Sequence, residues 1–136
     1  MTESPDPGAV ELAHRLFDFA RAGDTAPLAA YVDAGAPVDL TDAAGNTLIM
    51  LAAYHGHPET VAALISRRAD VDRLNDRGQA PLAGALFKGE DDVCELLLNA
   101  GADLDAGSPT ARETAIMFGR TDLLERRRPL ASIPLS

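Results

Sequence analysis

The sequence predicts an all-α domain built from stacked copies of one small helix-turn-helix unit. The main observation is an internal repeat. The segment that begins at Gly45 recurs at Gly78, an offset of 33 residues, and Gly56 recurs at Gly89 with the same offset. A second observation is that apolar residues follow helical spacing inside each unit. Units of this size cannot bury an apolar face alone, so they stack, and such stacks generally bind partners.

The first unit begins after an N-terminal segment, residues 1–8, that is rich in proline and acidic residues and is predicted to be disordered. From Val10 onward the spacing is helical. The apolar side chains that share one face of this helix are Ala13, Leu16, Phe17 and Ala20. Gly23 ends the helix, and the second helix of the unit is predicted to bury Leu28, Tyr31 and Val32.

The two middle units carry the clearest pattern. Their first helix is predicted from about Thr47 to His55, after which Gly56 ends it and Pro58 suits the first turn of the second helix. The second helix is expected to bury Val61, Leu64 and Ile65. Acidic residues favour the positive N-terminal end of these second helices, and they are Glu59, Asp91 and Asp92. Turn-forming residues then form an extended finger that leads to the next unit.

The fourth unit departs from the pattern, since its finger is three residues shorter than the one before it. Leu124 is predicted to take the buried position that Val61 has. Arg127 and Arg128 fall at the positions that Leu64 and Ile65 occupy in the second unit, and burying two arginines there would carry a high desolvation cost. Two alternatives follow. Either the helix ends as a polar cap, or a tail with three apolar residues folds back over the exposed surface, these being Leu130, Ile133 and Leu135.

Composition narrows the classes of function. The 136 residues carry a net charge of −9, with a pI near 4.6, which disfavours binding to nucleic acid or to an anionic membrane. The basic cluster at residues 126–128 is interpreted as a solvated helix end. Cys94 is the only cysteine and occupies the position equivalent to Val61, so it is expected to be a buried hydrophobic residue. No secretion signal or membrane-spanning run is recognisable, and the cytoplasm is the expected location.

Five segments carry the repeat pattern, and they are GNTLIMLAA at 45–53, GHPE at 56–59, ADVD at 69–72, GQAPL at 78–82 and LLLNAGADLD at 96–105. Together they resemble the ankyrin repeat. The resemblance extends over about residues 10–125 and is typical of small bacterial members. It implies an ankyrin-repeat solenoid of about four units, an L-shaped stack of helix pairs with short hairpin fingers. It also implies protein binding without catalysis.

On this basis the chain is divided into a repeat domain at 9–128 and a tail at 129–136. Within the domain we predict an N-terminal cap, two full repeats and a truncated C-terminal cap, at 9–41, 42–74, 75–107 and 108–128.

The chain departs from the family pattern at two kinds of position. The Thr-Pro-Leu-His turn of the family becomes TLIM at 47–50 and APLA at 80–83, so the hydrogen bonds of a Thr–His pair are not expected. Gly84 stands where a leucine is expected in a helix. Glycine there costs about 1 kcal/mol in helix propensity and leaves packing space, which predicts that the second full repeat is the softer one.

Candidate chemical groups are few. His55, His57 and Glu59 are close enough in sequence to suggest a metal site, but structural zinc needs three or four ligands with a supporting shell, and His57 lies in an ordinary helix-linking turn. We therefore predict no catalytic residue, no metal and no cofactor.

The predicted binding face follows from the period, since equivalent positions form rows along a stack. One row holds Arg21, Tyr54, Phe87 and Met117, and its neighbour holds Ala22, His55, Lys88 and Phe118. Three of the six aromatic residues lie in these rows, and aromatic residues are enriched in interface cores. The fingers extend the surface through Leu74, Asp76, Arg77 and Gln79. The alternative is that the rows only pack repeats together, with Phe118 in the core.

The leading hypothesis is a small cytoplasmic adaptor or regulatory subunit that binds an unidentified protein through its concave groove and fingers. A second hypothesis, by analogy of fold alone, is a stress-protective protein that shields an enzyme such as a redox enzyme. A third, a metal-dependent or hydrolytic enzyme, has only His55 and His57 in its favour. The sequence predicts neither the partner nor the oligomeric state.

Overall fold

A computed structural model describes residues 7–125 of the chain, and in that part the regular secondary structure is entirely helical, which confirms the predicted all-α class. The eight helices are α1 (Pro7–Ala22), α2 (Thr25–Asp33), α3 (Leu48–Tyr54), α4 (Pro58–Ser66), α5 (Pro81–Lys88), α6 (Asp91–Asn99), α7 (Ala111–Met117) and α8 (Thr121–Glu125).

The helices form two layers. Helix α3 packs between α1 and α5, and α5 packs between α3 and α7, so the first helices of successive units make one layer. The second helices, α2, α4, α6 and α8, make the other, and each contacts its own first helix across the layers. The result is the predicted stack of four helix pairs.

Local sequence sets the helix ends. The Thr47 hydroxyl accepts a hydrogen bond from the backbone N–H of Met50 at 3.1 Å, which satisfies a free donor at the start of α3. At the start of α7, Thr110 and Glu113 form a reciprocal capping box with bonds of 2.9 and 3.0 Å. Pro58 lies in the first turn of α4, as predicted. Thr47 therefore caps α3 even though no histidine follows it in the segment TLIM at 47–50.

One apolar core runs the length of the stack between the two layers. Its large buried members include Leu16, Leu28, Leu48, Ile49, Val61, Leu64, Leu82, Val93, Leu97 and Leu123. Cys94 is completely buried, which confirms its prediction as a core residue. Because neighbouring pairs share this core, each unit is stabilised by the next one.

Two predictions about the ends of the stack need correction. Helix α1 begins at Pro7, inside the segment predicted to be disordered, since proline suits a first helical turn. In the last unit Leu123 is 1% exposed and Leu124 is only partly buried, so Leu123 is the main core residue where Leu124 was predicted. The predictions for Arg127 and Arg128, and for the apolar tail residues Leu130, Ile133 and Leu135, lie outside the described residues.

The fingers are tight, mutually bonded turns. An oxygen of Asp42 accepts hydrogen bonds from the backbone N–H groups of Ala44 and Asn46, both at 2.9 Å, and Asn75 forms the same kind of turn 33 residues later. The Asn75 amide donates to the Asn46 side chain at 2.9 Å, and the backbone N–H of Asp76 donates to the Ala44 carbonyl at 3.0 Å. These bonds fix the spacing between the two fingers.

Candidate functional site

We call the layer of first helices, α1, α3, α5 and α7, the inner layer and the layer of second helices the outer layer. A groove runs along the inner layer and is bounded by the fingers. It consists of three adjoining pockets. The apolar pocket, about 270 Å³, lies between α5 and α7 and is lined by Met50, Tyr54, Gln79, Ala83, Gly84, Phe87, Pro109, Thr114, Met117 and Phe118. The middle pocket, about 300 Å³, is lined by Ala44, Asn46, Met50, Leu51, Tyr54, Asn75, Arg77 and Gln79. The N-terminal pocket, about 650 Å³, is lined by Val10, Ala13, His14, Phe17, Asp18, Arg21, Thr41, Asp42, Ala43 and Ala44.

Gly84 helps to open the apolar pocket. A Cβ atom placed on it would lie 3.4 Å from Met50 Cε and 3.6 Å from Tyr54 Cδ1, which are ordinary contact distances. One repeat earlier the equivalent position is Leu51, whose side chain is nearly buried. The packing space predicted at Gly84 is therefore present, and it lies on the floor of the groove, where a ligand can reach it.

Large apolar side chains are exposed around this pocket. Phe87 is 59% exposed, Met117 68% and Phe118 47%, and the Phe87 and Phe118 rings meet edge to face with centroids 5.6 Å apart. Tyr54 is less exposed, at 37%. Phe118 is thus a surface residue, and the alternative that placed it in the core is wrong. Contiguous exposed apolar residues are typical of interaction surfaces, which makes this cluster the candidate binding site.

Two basic side chains, Lys88 and His55, lie against Tyr54 beside the apolar pocket, although the whole chain is acidic. The Lys88 ammonium lies 5.0 Å from the centroid of the Tyr54 ring, a cation–π contact. The His55 ring packs edge-on against the same tyrosine, with centroids 5.6 Å apart. Partial burial lowers the pKa of His55, and the nearby charges of His57, Arg21 and Lys88 lower it further.

The structure places five of the predicted binding residues in the walls of the apolar and middle pockets. Tyr54, Gln79, Phe87 and Phe118 line the apolar pocket, and Tyr54 and Gln79 also line the middle pocket. Arg77 lines the middle pocket beside them. The aromatic rows and the second finger therefore converge on one site.

The other five predicted residues are more dispersed. His55 and Lys88 flank Tyr54 without lining a pocket, and Arg21 lines the N-terminal pocket, where it pairs with two carboxylates. Leu74 is 42% exposed and Asp76 is also exposed, but neither lines the three pockets.

Sequence reasoning did not select several residues that line the apolar pocket. Met117 was in a predicted row but was not chosen, although methionine is enriched at interfaces. Met50 and Thr114 also line the pocket, and Met50 lies beside Gly84, which has no side chain to cover it. Pro109 lines it because the shortened fourth finger ends there, and no sequence pattern signalled that contact.

The candidate chemical groups are held in structural roles. Nε2 of His57 lies 2.6 Å from the carbonyl oxygen of Arg21, so this ring bridges two repeats. Burial raises the pKa of the Cys94 thiol to about 12, with a smaller contribution from Asp91, which leaves the thiol protonated at neutral pH. Within residues 7–125 no three His, Cys, Asp or Glu side chains are grouped so as to hold a metal ion. Among the described helices none is long and apolar enough to cross a membrane.

Comparison with known proteins shows which family this chain is similar to. A family model of ankyrin repeats with three copies matches residues 16–108. An ankyrin repeat protein of Pseudomonas aeruginosa is 43% identical over 65 residues, which are 45% of this chain and 38% of the relative. An ankyrin repeat-containing protein of Treponema pallidum is 39% identical over 94 residues, 68% of this chain and 32% of the relative. The Drosophila melanogaster ankyrin repeat and KH domain-containing protein mask is 38% identical over 72 residues, 52% of this chain and 2% of the relative. The chain thus spans less than two fifths of the length of each of these relatives.

Proposed function

Because the chain belongs to the ankyrin repeat family, whose members generally mediate protein–protein interaction, we propose that it is a non-catalytic module that holds a partner protein in its groove. In this proposal it acts in the cytoplasm as a small adaptor or regulatory subunit. The observation that carries the proposal is the exposed apolar surface around the apolar pocket.

The distribution of exposed apolar residues supports this surface over the rest of the stack. Seven large apolar side chains are exposed in the described part of the chain. Five of them lie at the C-terminal ends of three successive inner helices, and they are Tyr54, Phe87, Ile116, Met117 and Phe118. Exposure of this kind opposes solubility unless a partner covers it, and aromatic residues and methionine are the usual anchors of interface cores.

The energetic expectation follows from the kind of side chain. Truncation to alanine of an aromatic anchor in the centre of an interface typically costs about 2 kcal/mol or more of binding free energy, which is about 30-fold in affinity. Tyr54→Ala and Phe87→Ala together are therefore expected to weaken partner binding by at least about 30-fold. The fold itself should change little, because Phe87 is more than half exposed.

The test is affinity capture from a lysate of the organism that encodes the chain. The bait is the full chain, and it is compared with the Tyr54→Ala, Phe87→Ala variant and with a matched control, Glu59→Ala and Asp92→Ala, on the outer helices. A protein held by the wild type and the control but lost by the groove variant supports the proposal.

The identity of that protein would separate a regulatory adaptor from a protein that shields an enzyme. Equal capture by all three baits, with the fold intact by circular dichroism, would contradict the proposed groove.

A further inference from the structure

We propose that the groove selects a peptide segment in which a large apolar side chain is flanked by acidic residues. This inference rests on the proposed function and adds the chemistry of the partner. It commits to a partner protein as the occupant, and it follows from the lining of two connected pockets and from the charges beside them.

The apolar pocket accounts for the apolar anchor. None of its lining residues carries a charge, and Gln79 and Thr114 are the main polar side chains in its wall. Its volume of about 270 Å³ is close to the small end of ligand pockets, which suits one large side chain of a peptide. A charged side chain would lose its hydration there without gaining a partner of opposite charge.

The middle pocket accounts for one acidic neighbour. It shares Met50, Tyr54 and Gln79 with the apolar pocket, so a bound chain can pass from one to the other. Arg77 is the only charged residue among those that line the two pockets. The carboxylate of its neighbour Asp76 instead lies against Gly45 of the preceding finger.

The finger holds Arg77 in place at the edge of the groove. Its backbone N–H donates to the Asn75 side chain at 3.0 Å, and the Asn75 amide donates to Asn46 on the preceding finger at 2.9 Å. These bonds fix the backbone from which the Arg77 side chain extends to the wall of the middle pocket. A carboxylate placed beside it gains a charge-assisted hydrogen bond without reordering the loop.

Lys88 supplies a second cation, which lies against Tyr54, a residue that lines both pockets. It lies over the Tyr54 ring at 5.0 Å, next to His55, whose pKa is lowered mainly by burial and to a smaller extent by nearby charges that include Lys88. Arg21 is farther along the groove and is paired with Asp18 at 3.1 Å and Asp42 at 3.6 Å. Arg77 and Lys88, by contrast, form no ion pair among the described residues, so these two cations remain available to a bound carboxylate.

The charges also argue against the chain's own C-terminal segment as the occupant. Residues 126–136 offer apolar side chains, but they begin with three arginines and contain no acidic residue. The cations that flank the pocket would repel that segment and attract an acidic one.

The test is selection of a random displayed peptide library on the full chain. We expect enriched peptides to carry an aromatic or leucine residue with aspartate or glutamate within a few positions. On the variant Arg77→Glu, Lys88→Glu, the enriched peptides should keep the apolar residue and exchange acidic neighbours for basic ones. A synthetic peptide enriched on the wild type should bind this variant about tenfold more weakly, and salt should weaken its binding to the wild type.

The outcomes separate this inference from the proposed function. Enriched peptides with an apolar anchor and no acidic preference, or the same peptides on the charge-reversed variant, would overturn the inference and leave the groove as a binding site. No enrichment beyond that on the Tyr54→Ala, Phe87→Ala variant would overturn both.

Two further measurements address other occupants. If only a variant with Leu130→Ser, Ile133→Ser and Leu135→Ser enriches peptides, the chain's own tail fills the groove and the inference is wrong. A dimer in sedimentation at micromolar concentration that Met117→Ser dissociates would place a second copy there, with the same consequence.

Discussion

Gly84 lies in α5, the third helix of the inner layer, at the floor of the apolar pocket. Its replacement by alanine tests the packing described above. A Cβ atom there would be 3.4 Å from Met50 Cε and 3.6 Å from Tyr54 Cδ1, so the methyl group makes ordinary contacts without a clash. Glycine inside a helix costs about 0.5–1 kcal/mol relative to alanine. Gly84→Ala is therefore expected to raise the free energy of unfolding by that amount, or the midpoint of thermal unfolding by about 2–5 °C.

The matched control is the same substitution at Gly89, three residues after Leu86 at the end of the same helix. Gly89 has a φ of 72°, which an alanine adopts only at a cost of about 1–2 kcal/mol, and no neighbouring atom lies within 4 Å to compensate. Gly89→Ala should thus destabilise the fold where Gly84→Ala stabilises it. The assay is urea unfolding followed by far-ultraviolet circular dichroism.

A larger side chain at the same site separates stability from binding. Gly84→Leu restores the leucine that Leu51 provides one repeat earlier and places it in the apolar pocket. We expect the peptides selected on the wild type to lose at least tenfold in affinity while the fold stays intact. A destabilising Gly84→Ala, or unchanged peptide binding by a folded Gly84→Leu, would refute the assignment of Gly84 to an open groove floor.

Three further predictions follow from individual contacts. Thr47→Ala removes the hydroxyl that caps α3 and should lower the free energy of unfolding by about 1 kcal/mol in urea titrations, whereas an unchanged value would deny the cap a role. The Cys94 thiol, buried and with its pKa raised to about 12, should react with a thiol reagent at pH 8 at less than about a tenth of the rate of the unfolded chain, and equal rates would contradict its burial. Nuclear magnetic resonance titration should place the pKa of His55 below 6.5, and Lys88→Ala should raise that pKa. An unshifted pKa would contradict the partial burial of His55 beside basic side chains. Because the folded chain binds this proton less readily than the unfolded chain, the contribution of His55 to stability is lost as pH falls below about 6.5.

The architecture could be predicted from the sequence because it depends on short-range patterns. The period of 33 residues, the helical spacing of apolar residues such as Leu16 and Val61, and the proline at Pro58 each act within a single unit. Such patterns gave the stack of helix pairs and the burial of Cys94. The capping box of Thr110 and Glu113 was equally readable, as a threonine followed three residues later by glutamate, and it was missed.

The details that escaped prediction depend on contacts between units. Leu123 and Leu124 are adjacent and equally apolar, and the packing of α8 against α6 and α7 decides which of them is buried, so local spacing cannot tell them apart. The apolar pocket is open partly because Gly84 has no side chain where α5 faces Met50 and Tyr54 of α3. The sequence showed the missing side chain, but only the stacking of three inner helices shows that the space opens to solvent.

The central claim, that a partner protein lies in the groove over the aromatic row, is tested most directly by photo-cross-linking in living cells. A photoreactive phenylalanine analogue is introduced at Phe87 of the full chain in the organism that encodes it, and at Glu59 on the outer helix α4 as the control. We expect a discrete cross-linked protein from position 87 that is absent from position 59 and is lost when Tyr54→Ala is added. Cross-linking at position 59 alone, or identical products from both positions, would show that the groove is not where the partner binds.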